Sequence, residues 1–191
     1  MARSTRLGFT AFLAAALGLA GPARADAPKV IKIGAVYPLS GNIASTGLDC
    51  RRGAELAADI INGKYDLDLP LARAEGLPNL GGAKIELVFA DTKGEPKNGI
   101  AEVERLVTQE KVVAMIGAYQ SAVTKTASQA TERLKIPYVC SDSSSPTLTT
   151  FGYKYFFRAS PHDALFARDQ FNFLKDLELS LIHISEPTRR S

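Results

Sequence analysis

The chain has 191 residues, 46% of them hydrophobic and 23% charged, a balance that suits one domain or a little more and excludes intrinsic disorder. Its formal charge of +3 lies in the two ends: with residues 1–25 and 179–191 set aside, 18 basic and 19 acidic residues remain. A net charge so close to zero leaves no electrostatic case for nucleic acid as a partner.

Residues 1–25 carry Arg3 and Arg6, an apolar run over 7–21 and a small-x-small site at Ala23-Arg24-Ala25, the layout of a removable secretory signal peptide. A run of about 15 residues at roughly 1.5 Å each is short of a bilayer core of roughly 30 Å, which disfavours a spanning anchor. No cysteine follows the run to accept a lipid, so a freely soluble exported protein starting at Asp26 is expected.

Residues 29–39 (KVIKIGAVYPL) are rich in Val and Ile and stop at Pro38 and Gly41, which predicts a buried strand ending in a turn. A helix follows, with Leu48, Leu56, Ala57, Ile60 and Ile61 at helical spacing, Ser45 or Thr46 placed to cap it and Asn62-Gly63 to close it. Residues 64–83 break this rhythm with Pro70, Gly76, Pro78 and Gly81-Gly82 and read as a surface insertion. A strand over 84–90 is followed by a helix over 96–109, whose Ile100, Val103, Leu106 and Val107 form one stripe, and by a strand over 112–116. A helix over 121–134 turns Val123, Ala127, Ala130 and Leu134 inward, and strands over 138–140 and 155–158 complete the series. Strands apolar on both faces, alternating with helices, predict an α/β fold with a parallel sheet sandwiched by helices.

In such a sheet ligands bind beyond the carboxyl ends of the strands. Loops 37–47, 117–121 and 141–146 gather there. The second runs into a helix, whose first N–H groups lack partners and sit at the positive end of the helix dipole, a position that favours a carboxylate or phosphate. Ser121 adds a hydroxyl, Tyr119 an aromatic wall, and the serines after the fourth strand further donors and acceptors. A serine at a helix start also serves as a plain N-cap and a serine-rich stretch as a plain loop, so both readings stay open here.

The phosphate patterns G-x-G-x-x-G and G-x-x-x-x-G-K-[ST] are missing from the first strand-to-helix turn, and there is no G-x-S-x-G elbow. Outside residues 179–191 the one histidine is His162, which reads as a turn residue or neighbour of an N-cap. No cofactor, no metal site and no catalytic residue is expected. Cys50 and Cys140 would enter an oxidising compartment, where their pairing depends on a distance that sequence does not supply.

The stretches IKIGAVYPLSGNIASTG, GAELAADIING, FADTKGEPKNGIAEVERLV, VVAMIGAYQSAVTKTASQATERLKIPYV, SSSPTLT and YFFRASPHD follow one another through residues 29–174. In this order they resemble the leucine/isoleucine/valine-binding family of periplasmic receptors, the type I solute-binding proteins of ABC transporters. The resemblance implies a two-lobed receptor with a hinge, in which solute docks on one lobe and closure of the other traps it. It implies a binding protein rather than an enzyme, and a monomer. Its partners would be a branched-chain amino acid or similar small carboxylate or amide and an ABC permease in the inner membrane.

Carried over by position, Ser121 matches the family's serine that binds the ligand carboxylate, and Ser144 a hydroxyl residue at the ligand's polar end. Asp142 occupies a site whose backbone carbonyl takes the ammonium, with Ser143 beside it, and Thr46 falls where some members place an aromatic side chain. By the same correspondence residues 26–160 are an incomplete first lobe and residues 161–178 open the second. With the second lobe's aromatic and acidic contacts missing, this chain is expected to lack high-affinity binding. Residues 179–189 (LSLIHISEPTR) resemble the translated transposon-end adapter of sequencing libraries, so residues 179–191 are expected to be non-native. The alternative function is the ligand-sensing module of an extracytoplasmic receptor; the secretory signal favours import.

Overall fold

The computed structural model describes residues 29–177, so the secretory-signal reading of residues 1–25 and the adapter reading of residues 179–191 lie outside the described residues. Its elements alternate as the hydrophobic pattern requires: β1 (Val30–Tyr37), α1 (Ala44–Asn62), β2 (Lys84–Asp91), α2 (Pro96–Thr108), β3 (Ala114–Gly117), α3 (Ser121–Leu134), β4 (Tyr138–Cys140), β5 (Phe156–Arg158) and α4 (Asp163–Asp176). The five strands form one sheet in the order β2-β1-β3-β4-β5, and every neighbouring pair is parallel. This is the expected α/β architecture.

The chain lays β2 on one side of β1 and β3 on the other, so the order reverses between β1 and β3. At such a switch point the loops leave the sheet in opposite directions and open a crevice beyond the strand ends. Here the crevice lies beyond Tyr37 and Gly117.

One face of the sheet is closed by α2 and α3, which pack on each other. Val36, Ala90, Met115 and Tyr138 meet Val103 and Leu106 of α2 and Val123, Ala127 and Ala130 of α3 in a single core. Leu106, Met115 and Val103 are fully buried, each worth about 1.5–3 kcal/mol of transfer free energy. Among the described residues the other face carries α1, packed over β1 and β2. Ile116, Val139 and Phe157, in register across β3, β4 and β5, alternate away from the closed core, and Phe157 is 53% exposed.

Element edges depart from expectation in two places, each for a local reason. Helix α1 begins earlier than a Ser45 or Thr46 cap would require: a turn from Ala44 N to Gly41 O (3.2 Å) starts it with Ile43 at the N-cap and no side-chain cap, leaving both hydroxyl residues in its first turn. Gly63 closes it, with extended rather than left-handed backbone. Strand β3 starts at Ala114 because Val112 is drawn into the core, where its N–H bonds Leu106 O, while Val113 faces solvent. The insertion at 64–83 is irregular as expected, with a single antiparallel bridge between Leu77 and Ala83, and is tied to the sheet by Lys84 and Glu75 at 2.8 Å.

Candidate functional site

The loop after β1 is held from β2. Asp91, at the end of that strand, accepts the N–H groups of Leu39 (2.8 Å), Ser40 (3.3 Å) and Lys93 (2.8 Å) on one oxygen and the Ser40 hydroxyl on the other. Burial works to raise its pKa, but these donors favour the charged form more strongly and the net shift is downward. Beyond this loop α1 passes so close that a Cβ at Gly47 would collide with the Pro38 carbonyl. Only glycine permits this approach; Thr46 lies half-buried in the first turn of α1, and Cys50 follows one helical turn on.

The loops after β3 and β4 are bound to each other. Ser143 is 1% exposed, and its hydroxyl lies against that of Thr124 and reaches the carbonyls of Ala118 (2.8 Å) and Tyr119 (3.0 Å). Its side chain therefore faces the interior, where it fastens the two loops, and does not line the rim as a ligand contact. Arg158, at the end of β5, completes the fastening with a fork of two 2.6 Å bonds to the carbonyls of Ser143 and Ser145. Ser144 is half-buried, its carbonyl accepts the N–H of Asp163 at 2.9 Å, and among the described residues its hydroxyl has no partner.

Ser121 is the first residue of α3; the N-cap is Gln120, so the plain N-cap reading of Ser121 does not hold. The first intrahelical bond runs from Thr124 N to Gln120 O (2.9 Å), which leaves the N–H groups of Ser121, Ala122 and Val123 ahead of it. The Ser121 oxygen accepts the N–H of Ser145 at 3.2 Å, so its own hydrogen stays free to donate. Tyr119, 40% exposed, stands beside it. The structure thus brings together Tyr119, Ser121 and Ser144, with Ser143 behind them.

Asp142 points the other way, toward α1. One carboxylate oxygen accepts the Ser141 hydroxyl and the other faces the Cys50 sulfur at 3.8 Å, while Tyr37 Oη lies 3.4 Å from Ser141 Oγ. Burial, and then the Asp142 charge, push the Cys50 thiol up to about 11; burial pushes the Tyr37 hydroxyl up to about 12. Both stay protonated and donate. These groups border a cleft of about 310 Å³ at the switch point, under α1.

Both cysteines are free thiols. Cys140 shares the strand face of Tyr138, on the α2–α3 side, and its sulfur bonds Ser143 O, whereas Cys50 belongs to α1 on the opposite side. The sheet stands between them. Arg158, Thr124, Cys50 and Tyr37 were not singled out as site residues from sequence. Arg158 was the discoverable one, since a cation closing the apolar run Tyr155-Phe156-Phe157 needs acceptors, and the serine-rich loop provides them.

Residues 30–178 match the family described as periplasmic binding protein. A relative in Brucella suis biovar 1 (strain 1330), "Leu/Ile/Val-binding protein homolog 7", is 33% identical over 156 residues, which is 82% of this chain and 35% of the relative. The isoleucine complex of the branched-chain amino acid transporter substrate binding protein LivJ from Streptococcus pneumoniae superposes with a TM-score of 0.59 at 31% identity, covering 71% of this chain and 35% of that one. An ABC transporter substrate-binding protein from Desulfitobacterium hafniense in complex with Leu superposes with a TM-score of 0.62 at 26% identity, covering 78% and 39%. The chain therefore spans about a third of the length of such relatives. The family implies an extracytoplasmic location. With the parallel sheet, its switch point between β1 and β3 and the match over 30–178 in agreement, this chain belongs to the periplasmic binding protein family.

Proposed function

We propose that this chain carries the first lobe of the substrate-binding component of an ABC importer, and that its rim receives a branched-chain amino acid or a similar small carboxylate or amide. The observation that carries the reading is the start of α3: N–H groups without a partner among the described residues, at the positive end of a helix, beside a Ser121 hydroxyl whose oxygen is pinned by Ser145 and whose hydrogen has no acceptor among the same residues. The ligand carboxylate accepts from these donors and from Ser144, Tyr119 flanks it, and the carbonyl of Asp142 accepts from the ammonium. Thr46 stands at the α1 side of the same rim. The solute-bound relatives described above support the ligand class.

In this reading residues 26–160 belong to the first lobe, residues 161–178 open a second, and closure of that second lobe traps the solute. The protein reaches the periplasm through the signal at residues 1–25, acts as a monomer and hands its solute to the permease. One lobe alone offers half of the contacts, so weak binding is expected of the 191-residue chain. Titration of ¹⁵N-labelled chain with leucine should move the amide resonances of Ser121, Ala122 and Ser144 at millimolar concentrations. Ser121→Ala should weaken the effect by about 1.5–3 kcal/mol, the usual worth of a hydrogen bond to a charged group. Resonances that stay still at α3, or an unchanged response in Ser121→Ala, would remove the site.

A further inference from the structure

Arg158 is a cation without a counter-ion. Among the described residues its guanidinium takes part in no ion pair, and its Nε is buried without an acceptor. A half-buried charge kept from any carboxylate costs desolvation that a neutral side chain would not. What the guanidinium supplies is geometry: two donors fixed in one plane hold the carbonyls of Ser143 and Ser145, both at 2.6 Å, and so bracket Ser144, whose hydroxyl stands at the rim.

The peptide held in this way, between Ser144 and Ser145, is a junction. Its carbonyl accepts the N–H of Asp163 at 2.9 Å, and its N–H donates to Ser121 Oγ at 3.2 Å. Asp163 is the first residue of α4, and its N–H lies ahead of the helix's own bonds, which begin with those from Leu165 and Phe166 to the carbonyl of His162. A single peptide therefore joins the leading N–H of α4 to the hydroxyl oxygen at the start of α3. Bonds in such a chain polarise one another, so the Asp163 N–H strengthens the peptide N–H as a donor, and that in turn strengthens the Ser121 hydroxyl as a donor toward the rim. At 3.2 Å the bond to Ser121 is at the long end for N–H to O, so a small rotation of the peptide plane breaks it.

We infer that Arg158 is a positioning residue for solute recognition: it fixes the plane of the Ser144–Ser145 peptide and, through it, directs the Ser121 hydroxyl hydrogen to the rim, without itself touching the solute. The inference rests on the reading of the α3 rim given above. It adds to that rim a side chain from behind, at the end of the strand that leads into α4.

The test uses the ¹⁵N-labelled 191-residue chain as wild type, Arg158→Met, Arg158→Lys, Ser121→Ala and the double variant of Ser121→Ala with Arg158→Met. Before any solute is added, the Ser145 amide proton should move upfield in Arg158→Met and in Ser121→Ala. In the double variant it should move no further than in Ser121→Ala, because the acceptor is already gone. A Ser145 amide that stays put in Arg158→Met, or an Arg158→Met effect of the same size in both backgrounds, makes the arginine a mere neighbour of that bond and overturns the inference. Leucine, read at the amides of Ala122 and Ser144, should bind Arg158→Met on the order of fivefold more weakly than wild type. Arg158→Lys keeps the charge and loses the fork, so it should also bind more weakly; an affinity equal to wild type in either variant overturns the inference as well. Unmoved amides at Val103 and Leu106 of α2 report that a variant has kept its core, and where Arg158→Met loses it, Arg158→Lys takes its place in both measurements. The two claims fail apart: no leucine response in wild type removes the α3 reading and the recognition role with it, whereas a wild-type response that the arginine variants leave intact removes only the inference.

Discussion

Replacing Ser143 with alanine should loosen the rim from behind. Two hydroxyl hydrogens, those of Ser143 and Thr124, serve the carbonyls of Ala118 and Tyr119; Thr124 Oγ1 reaches Ala118 O at 3.2 Å and covers it without help. Deleting the Ser143 hydroxyl therefore strands one acceptor, the Tyr119 carbonyl. A fully buried acceptor left so costs about 1–3 kcal/mol, and because Tyr119 is 40% exposed, water offsets part of it, for a net of about 1–2 kcal/mol. At ~2–4 °C per kcal/mol for a chain of this size, the melting temperature should fall by ~2–8 °C. Thermal and urea unfolding of the 191-residue chain, followed by far-UV circular dichroism, measure it. Thr124→Val and the double variant close a thermodynamic cycle, in which contacting residues should couple by about 0.5 kcal/mol or more. A loss below that figure in Ser143→Ala, or a cycle that closes additively, refutes the role of these hydroxyls as the joint between the two loops.

The depressed pKa of Asp91 makes the β1 loop acid-sensitive. Its contribution is fully present above the ordinary value of 3.8 and is lost as pH falls through the lower folded value. Asp91→Asn should thus cost about 0.5–1.5 kcal/mol at neutral pH, solvent screening the exposed carboxylate, and the gap from wild type should close as pH drops below about 4; a gap constant from pH 7 to pH 3 argues against it. Cys50, pushed from 9.0 to about 11, should react with iodoacetamide at pH 8 on the order of tenfold more slowly than an unhindered thiol, its much smaller thiolate fraction partly offset by the greater nucleophilicity of a more basic thiolate, and Asp142→Asn should speed it; a rate equal to that of free cysteine contradicts the assignment. Arg158→Met should speed amide hydrogen exchange across residues 143–150, with Arg158→Lys in between because an ammonium cannot reproduce the fork; equal exchange in all three chains shows that the clamp is idle.

The element order and the rim loops were legible in the residues themselves. Strands such as VIKIGAVY are apolar on both faces and are separated by stretches with helical spacing, and that alternation admits few arrangements besides a covered parallel sheet. Helix α3 and strand β4 begin and end where their patterns do. The leading N–H groups of α3 were legible because every helix start exposes them, whatever follows. Helix α1 was read less well at its start, because a turn closed by Gly41 O competes with the hydroxyl caps that sequence offers.

What sequence leaves undecided is the direction in which each polar side chain turns once the loops meet. Asp142, Ser143 and Ser144 are consecutive, yet one faces α1, one is buried against Thr124 and one stays at the rim. The same holds for Cys50 and Cys140, which composition allows to pair and the intervening sheet keeps apart. Periodicity is a local property and survives in the one-dimensional pattern. The partner of a loop side chain is chosen by elements tens of residues away, such as the carbonyls of Ala118 and Tyr119 for Ser143 or the guanidinium of Arg158 for its backbone, and that choice exists only when the chain is folded.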